Sequence, residues 1–175
     1  MNQGLIHYYY GYGKGKTTAA MGLALRASGS GRRVVIVQFL KNRKSCELIQ
    51  MEKLDNILIL RGQSTDAFSN EMNKDDIIST TEIHNLNLSK ALEYVQADMC
   101  DMLILDEVTD AYELGMVDED MLEQTVKYKP ENLELVITGH NPQSWIMDIA
   151  DYVTQMQKYK HPYDRGIAAR YGIEY

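Results

Sequence analysis

The residues best suited to chemistry form a glycine-rich segment near the start of the chain: Gly11, Tyr12, Gly13, Lys14, Gly15, Lys16, Thr17 and Thr18. In a turn that ends in Gly-Lys-Thr, backbone N–H groups bind phosphate oxygens, the lysine neutralises charge and the hydroxyl ligates Mg²⁺. We therefore predict that Lys16 contacts phosphate and that Thr17 contacts phosphate and metal. The usual pattern begins with glycine, and Tyr10 holds that place here, so the loop should have its own shape.

A pair of carboxylates, Asp106 and Glu107, forms the second candidate group, directly after the apolar run at residues 102–105. Taken alone, such a run is a buried strand that ends in a solvated turn. Beside a phosphate loop, however, either carboxylate can reach Mg²⁺ directly or through water. Two roles remain open for Glu107: a base that polarises water in a hydrolase, or a metal ligand in a reaction that uses no water.

Other polar positions give weaker signals. The segment at residues 138–142 follows a predicted strand, so it is either a proline-containing turn or part of the site wall. The histidines lack metal-ligand spacing, and His84 lies on an apolar helical stripe where packing is expected. Arg26 lies on the first predicted helix, where a salt bridge is the default interpretation.

The elements that must position these side chains are strands alternating with helices. A strand at residues 5–10 precedes the glycine-rich segment and a helix follows it. Further strands are predicted at residues 33–40, 57–60, 102–105, 133–137 and, more weakly, 152–156, and further helices at about 74–97 and at 118–127. Residues 62–73 should form a long polar loop. This order predicts a three-layer α/β fold of the phosphate-loop NTPase (RecA-like) type, with a mostly parallel sheet and helices on both faces.

Composition narrows the class of protein. The 175 residues fit a single nucleotide-binding domain over residues 1–175. The net charge of -7 argues against nucleic-acid binding. No apolar run approaches the roughly 18–20 residues of a membrane helix, and no signal peptide is evident. Cys46 and Cys100 lie far apart, which indicates a reducing compartment and no zinc site. We therefore expect a cytoplasmic enzyme that acts on a small anionic substrate.

Taken together, these motifs resemble the ATP:corrinoid adenosyltransferase family, which makes adenosylcobalamin. Four further segments carry the resemblance beyond the loop, and they extend over nearly the whole chain: residues 34–41, Leu105-Asp106-Glu107, Thr138-Gly139, and the tail from Lys160-His161-Pro162-Tyr163 to Gly172-Ile173-Glu174-Tyr175. The loop of this family also lacks the usual first glycine. The loop and the tail together are more specific than either alone.

The resemblance implies roles for individual residues. Gly11 to Thr17 would hold the triphosphate of ATP with Thr18 beside it, Thr17 and Glu107 would bind Mg²⁺, and Lys16 and Glu107 would act in catalysis. Arg26 matches a family arginine, and Phe68 matches a phenylalanine that meets the corrin. The implied reaction is attack by a Co(I) corrinoid on the 5′ carbon of ATP, with triphosphate leaving. A homodimer and a flavoprotein reductant are the implied partners.

Two positions depart from the family pattern, and two other functions stay open. Asn70 stands where the family has a tryptophan, and His140 stands where it has an arginine. The loop and the acidic pair would equally serve an ATPase or a small-molecule kinase. The missing tryptophan also leaves open a binding module or sensor without turnover.

Overall fold

Strands and helices alternate along the chain in a computed structural model that describes residues 3–41, 45–65, 67 and 69–174. The strands are β1 (Ile6–Tyr10), β2 (Val34–Gln38), β3 (Ile57–Arg61), β4 (Met102–Asp106), β5 (Glu134–Gly139) and β6 (Tyr152–Gln155). The helices are α1 (Lys16–Gly29), α2 (Cys46–Met51), α3 (Lys74–Gln96), α4 (Val108–Glu113), α5 (Glu119–Lys127) and α6 (Ser144–Met147).

The six strands form one parallel sheet in the order β3-β2-β4-β5-β1-β6. The predicted parallel α/β fold is therefore confirmed. β5 lies between β1 and β4, so one strand separates the glycine-rich loop after β1 from the carboxylates at the end of β4. Thr138 of β5 pairs in register with Tyr9 and is placed to connect the two.

Helices cover both faces of the sheet. Apolar side chains of α1 and Met51 of α2 pack on one face, against Ile36, Ile104 and Val136. Residues of α3, α4, α5 and α6 pack on the other face, against strand residues that include Val37 and Leu105. Every residue of β2 and β4 is buried, which explains why their sequences are nearly continuous apolar runs. Among the described residues, no helix is both long and apolar enough to cross a membrane.

The long helices match their predicted bounds, whereas three short ones were not predicted. α3 begins at Lys74, where the Asn73 side chain accepts hydrogen bonds from Asp75 N and Asp76 N, and Asp118 caps α5 as expected. The helices that were missed, α2, α4 and α6, have four to six residues each. Two turns or fewer are too short for a helical repeat of apolar residues to be visible.

His84 is buried as predicted, but hydrogen bonds rather than packing alone define its place. Its Nδ1 donates to Met116 O at 2.8 Å, and its Nε2 accepts from Leu40 N at 3.1 Å. The ring also meets Phe39 edge-on. His84 therefore ties α3 to the segment that follows β2, in the neutral form with its proton on Nδ1.

This arrangement predicts that lowering the pH destabilises the protein through His84. Burial lowers the pKa of His84 in the folded state, opposed in part by its bond to Met116. The unfolded chain therefore binds more protons, so the stabilisation is complete above the ordinary histidine pKa and is lost as the pH falls below it. We expect the contribution to reach up to about 1.4 kcal/mol per pH unit. Urea unfolding at about pH 7.5 and about pH 5.5 measures the free energy of unfolding at each pH. The decrease between the two values should be smaller for His84→Gln than for the wild type. Equal differences would contradict this prediction.

Candidate active site

The glycine-rich loop between β1 and α1 is shaped by a neighbouring backbone. Gly13 N donates to Met156 O at 2.6 Å, and Met156 N donates to Tyr10 O at 2.8 Å. A Cβ atom on Gly11 would lie 2.5 Å from Met156 O, and one on Gly13 would lie 2.7 Å from the Met156 carbonyl carbon. Gly11 also has a φ of 109°, which side chains disfavour. Both glycines are therefore required by the segment that follows β6.

Lys16, the first residue of α1, points into this loop. Its Nζ donates to Gly11 O at 2.6 Å and to Gly13 O at 3.2 Å. Burial lowers the pKa of Lys16, while the carboxylates of Asp110 and Glu107 oppose that shift. The ammonium is thus held at the helix N-terminus, where anions bind.

Asp106 is the centre of a buried hydrogen-bond cluster. Its Oδ1 accepts from the hydroxyls of Thr17 at 3.0 Å and Thr138 at 2.8 Å. Its Oδ2 accepts from Gln38 Nε2 at 3.1 Å and from Lys41 Nζ at 2.6 Å. Burial alone would raise the pKa of Asp106, but the Lys41 ammonium and these hydrogen bonds lower it below its ordinary value. A buried carboxylate therefore connects the loop, β2 and β5.

Glu107 follows in a left-handed conformation, with a φ of 62°. Its N–H donates to Thr138 Oγ1 at 2.8 Å, and its Oε1 lies 3.4 Å from Lys41 Nζ. Burial raises the pKa of Glu107; Lys41 opposes that shift, and Asp106 adds to it. A strained backbone at such a position is typical of functional sites, and here it places the second carboxylate beside the first.

The donor set fits Mg²⁺. Thr17, Asp106 and Glu107 present one hydroxyl and two carboxylates, the hard oxygen ligands that this ion prefers. Within the described part of the chain, no group of three or more His, Cys, Asp or Glu side chains could hold a metal by itself. Mg²⁺ usually binds one or two carboxylates together with substrate phosphates.

Lys41 also belongs to this cluster, although no sequence pattern singled it out. Its Nζ contacts Thr17 Oγ1 at 2.8 Å as well as Asp106 and Glu107. Burial alone would lower the pKa of Lys41, but those two carboxylates raise it above its ordinary value. The available signal was its place directly after a buried parallel strand, since ligands bind at the carboxyl ends of such strands.

A cavity of about 1080 Å³ opens from this cluster. It begins at Thr17, Thr18 and Glu107 and runs between α1 and α2. Its apolar wall includes Met21 and Leu25, and the tail residues 172–174 close one side. The volume is sufficient for a ligand of nucleotide size.

The other predicted residues differ in how closely they lie to this cluster. Lys14 Nζ lies 3.4 Å from both Ile173 O and Glu174 Oε1. Tyr12 is exposed and donates to Asn141 Oδ1 at 2.6 Å. Arg26 is exposed on the last turn of α1 and does not line the cavity. Phe68 lies outside the described residues.

The structure includes both positions that depart from the family pattern. Asn70 is exposed on a short 3₁₀ turn, Ser69–Glu71. His140 follows β5, and its Nδ1 lies 3.0 Å from Asp110 Oδ1.

Comparison with known proteins gives one consistent family. A sequence model described as ATP:corrinoid adenosyltransferase BtuR/CobO/CobP matches residues 2–175. The corrinoid adenosyltransferase of Escherichia coli K12 is 30% identical over 99% of this chain and 86% of its own length. The Salmonella typhimurium protein is 28% identical over the same shares. Among solved structures, a KaiC-like protein of Pyrococcus horikoshii aligns with a TM-score of 0.55 at 17% identity, covering 92% of this chain and 76% of that one. This last similarity concerns the fold alone.

Proposed function

The chain belongs to the ATP:corrinoid adenosyltransferase family, and we propose that its glycine-rich loop, Lys16 and the carboxylates after β4 form the active site. The enzyme transfers the adenosyl group of ATP to a corrinoid. The observation that carries the site assignment is the direct bond between Thr17 of the loop and Asp106, at 3.0 Å. It joins the phosphate-binding loop and the acidic pair in one cluster.

The residues of this site suit a reaction in which triphosphate leaves and no water is activated. Lys16 and the first N–H groups of α1 would face the charge that develops on the leaving triphosphate, as preorganised donors should. No general base is then needed, because the nucleophile is the reduced corrinoid itself. Glu107 accordingly serves as a metal ligand rather than as a base.

Mg²⁺ is proposed as the metal of this site. The Thr17 hydroxyl and the Glu107 carboxylate would hold it, and Asp106 would orient Thr17 through their hydrogen bond. When bound, the ion would neutralise part of the negative charge on the triphosphate oxygens.

The cavity between α1 and α2 is proposed to hold the rest of the nucleotide. Its wall is apolar at Met21 and Leu25, which suits a base and a ribose, whereas its inner end has the hydroxyls of Thr17 and Thr18. The corrinoid would then approach from the polar loop at residues 62–73, where Asn70 is exposed.

The remaining proposals concern partners, location and domain organisation. A homodimer is supported by the exposure of all four residues of edge strand β6 and of Tyr159, Tyr163 and Tyr171 in the tail. The proposal of a flavoprotein reductant rests on the family resemblance. Composition and length support the other three proposals: no nucleic-acid binding, a cytoplasmic location and a single domain over residues 1–175.

The product distinguishes this function from its alternatives. With ATP, Mg²⁺ and chemically reduced cobalamin, we expect the visible spectrum of adenosylcobalamin to appear and inorganic triphosphate to be released. Orthophosphate or ADP without adenosylcobalamin would instead support an ATPase or kinase. Binding of both ligands without any product would support a sensor.

A further inference from the structure

Lys41 lies between the Thr17 and Glu107 oxygens that we assign to Mg²⁺ and also contacts Asp106. Its Nζ lies 2.8 Å from Thr17 Oγ1, 2.6 Å from Asp106 Oδ2 and 3.4 Å from Glu107 Oε1. A lysine ammonium has three N–H donors, so these oxygens can satisfy all of them. The side chain therefore lies here as a cation with a complete set of partners.

The backbone holds Lys41 in this place from two sides. Phe39 N donates to Asp106 O at 3.0 Å, which joins the end of β2 to β4. Leu40 has a φ of 53°, a left-handed conformation that a leucine rarely adopts. Its N–H is bound by His84 at 3.1 Å. The turn that directs Lys41 toward Asp106 is thus fixed by β4 and by α3.

Lys41 and a divalent cation would share the same oxygen partners. Mg²⁺ binds oxygen ligands at about 2.0–2.1 Å, and Lys41 Nζ lies 2.8 Å from Thr17 Oγ1 and 3.4 Å from Glu107 Oε1, so an ion bound to both would lie close to the ammonium. Two like charges at that separation repel strongly in a site of low dielectric constant. Without either cation, Asp106 would be a buried carboxylate with no compensating charge.

We propose that Lys41 competes with the divalent cation, so that the protein admits the metal only as its complex with a nucleotide. The phosphates of such a complex supply further metal ligands and a new partner for the displaced ammonium. The free ion brings neither phosphate ligands nor a new partner for Lys41, so it must displace the ammonium without that compensation. This inference rests on the proposed function in one respect, that the metal–ATP complex is the substrate.

Titration with Mn²⁺ alone, followed by electron paramagnetic resonance without nucleotide, tests the proposal. We expect Lys41→Met to bind Mn²⁺ at least about tenfold more tightly than the wild type, because the repelling charge is gone. Lys53→Met is the matched control, because Lys53 also lines the cavity but its Nζ donates to Gln50 Oε1. Its affinity for Mn²⁺ should equal that of the wild type.

Further variants keep the result decisive. If Lys41→Met does not fold, Lys41→Gln retains a donor for Asp106 without the charge and should show the same gain. Adding Glu107→Gln should abolish the gain. Equal Mn²⁺ affinity in the wild type and the uncharged variants, or an equal gain in Lys53→Met, would overturn the proposal. Because this assay contains no corrinoid, it can fail while wild-type adenosyl transfer is intact, and the converse also holds.

Discussion

Replacement of Lys16 by alanine should lower kcat/KM for adenosyl transfer by about 100-fold or more, equivalent to about 3 kcal/mol of transition-state stabilisation. The ammonium lies inside the loop, bound to Gly11 O and Gly13 O, and in the proposed site it would pair with the triphosphate. Initial rates of adenosylcobalamin formation at varied ATP concentration measure the effect. Because the interaction should strengthen as triphosphate leaves, kcat should fall as well as kcat/KM.

Lys14→Ala is the matched control for this change. It removes the same charge from the same loop, but Lys14 is half exposed and directed at the C-terminal tail. We expect a loss of about tenfold or less, since solvent screens exposed charges. A Lys16→Ala enzyme with nearly wild-type kinetics would mean that the active site lies elsewhere.

Replacement of Asp106 by alanine should lower the free energy of unfolding by about 3–5 kcal/mol. The fully buried carboxylate accepts from Thr17, Thr138, Gln38 and Lys41. Its removal leaves those donors without their acceptor and the Lys41 ammonium without its closest counter-charge. Urea unfolding at neutral pH measures this difference in the free energy of unfolding, provided that its dependence on urea concentration has the same slope in both proteins.

Asp164→Ala provides the comparison for an exposed acid. Asp164 pairs with Lys158 at 3.0 Å, and both side chains are more than two-fifths exposed. Such a pair contributes about 0–1 kcal/mol. If the two variants unfold at the same urea concentration, Asp106 cannot be the buried centre of the site.

The parts of this protein that the sequence predicts are those encoded by neighbouring residues. Gly15-Lys16-Thr17 identifies the phosphate loop because its chemistry depends on consecutive backbone and side-chain groups. Asp106 and Glu107 are candidate site residues because they follow an apolar run. The short helices α2, α4 and α6 cannot be predicted in this way, because they are stabilised by contacts with the sheet rather than by a repeating pattern.

Lys41 and His84 show the limit of that reasoning. The position of Lys41 requires β2 to pair with β4 and Leu40 to adopt a positive φ, and neither condition can be read from local sequence. His84 lies 44 residues from Leu40, so an apolar stripe predicts its burial but not its hydrogen-bond partner. Polar contacts between distant segments are decided by topology.

The contact between the loop and Met156 has a consequence for how this chain can vary. Gly11 and Gly13 are confined by the backbone of Met156, not by its side chain. A survey of all single substitutions should therefore find that the two glycines accept almost nothing. Position 156 should accept most residues except proline, whose missing N–H would leave Tyr10 O unpaired. A position can thus constrain an active site strongly while its own side chain remains free to change.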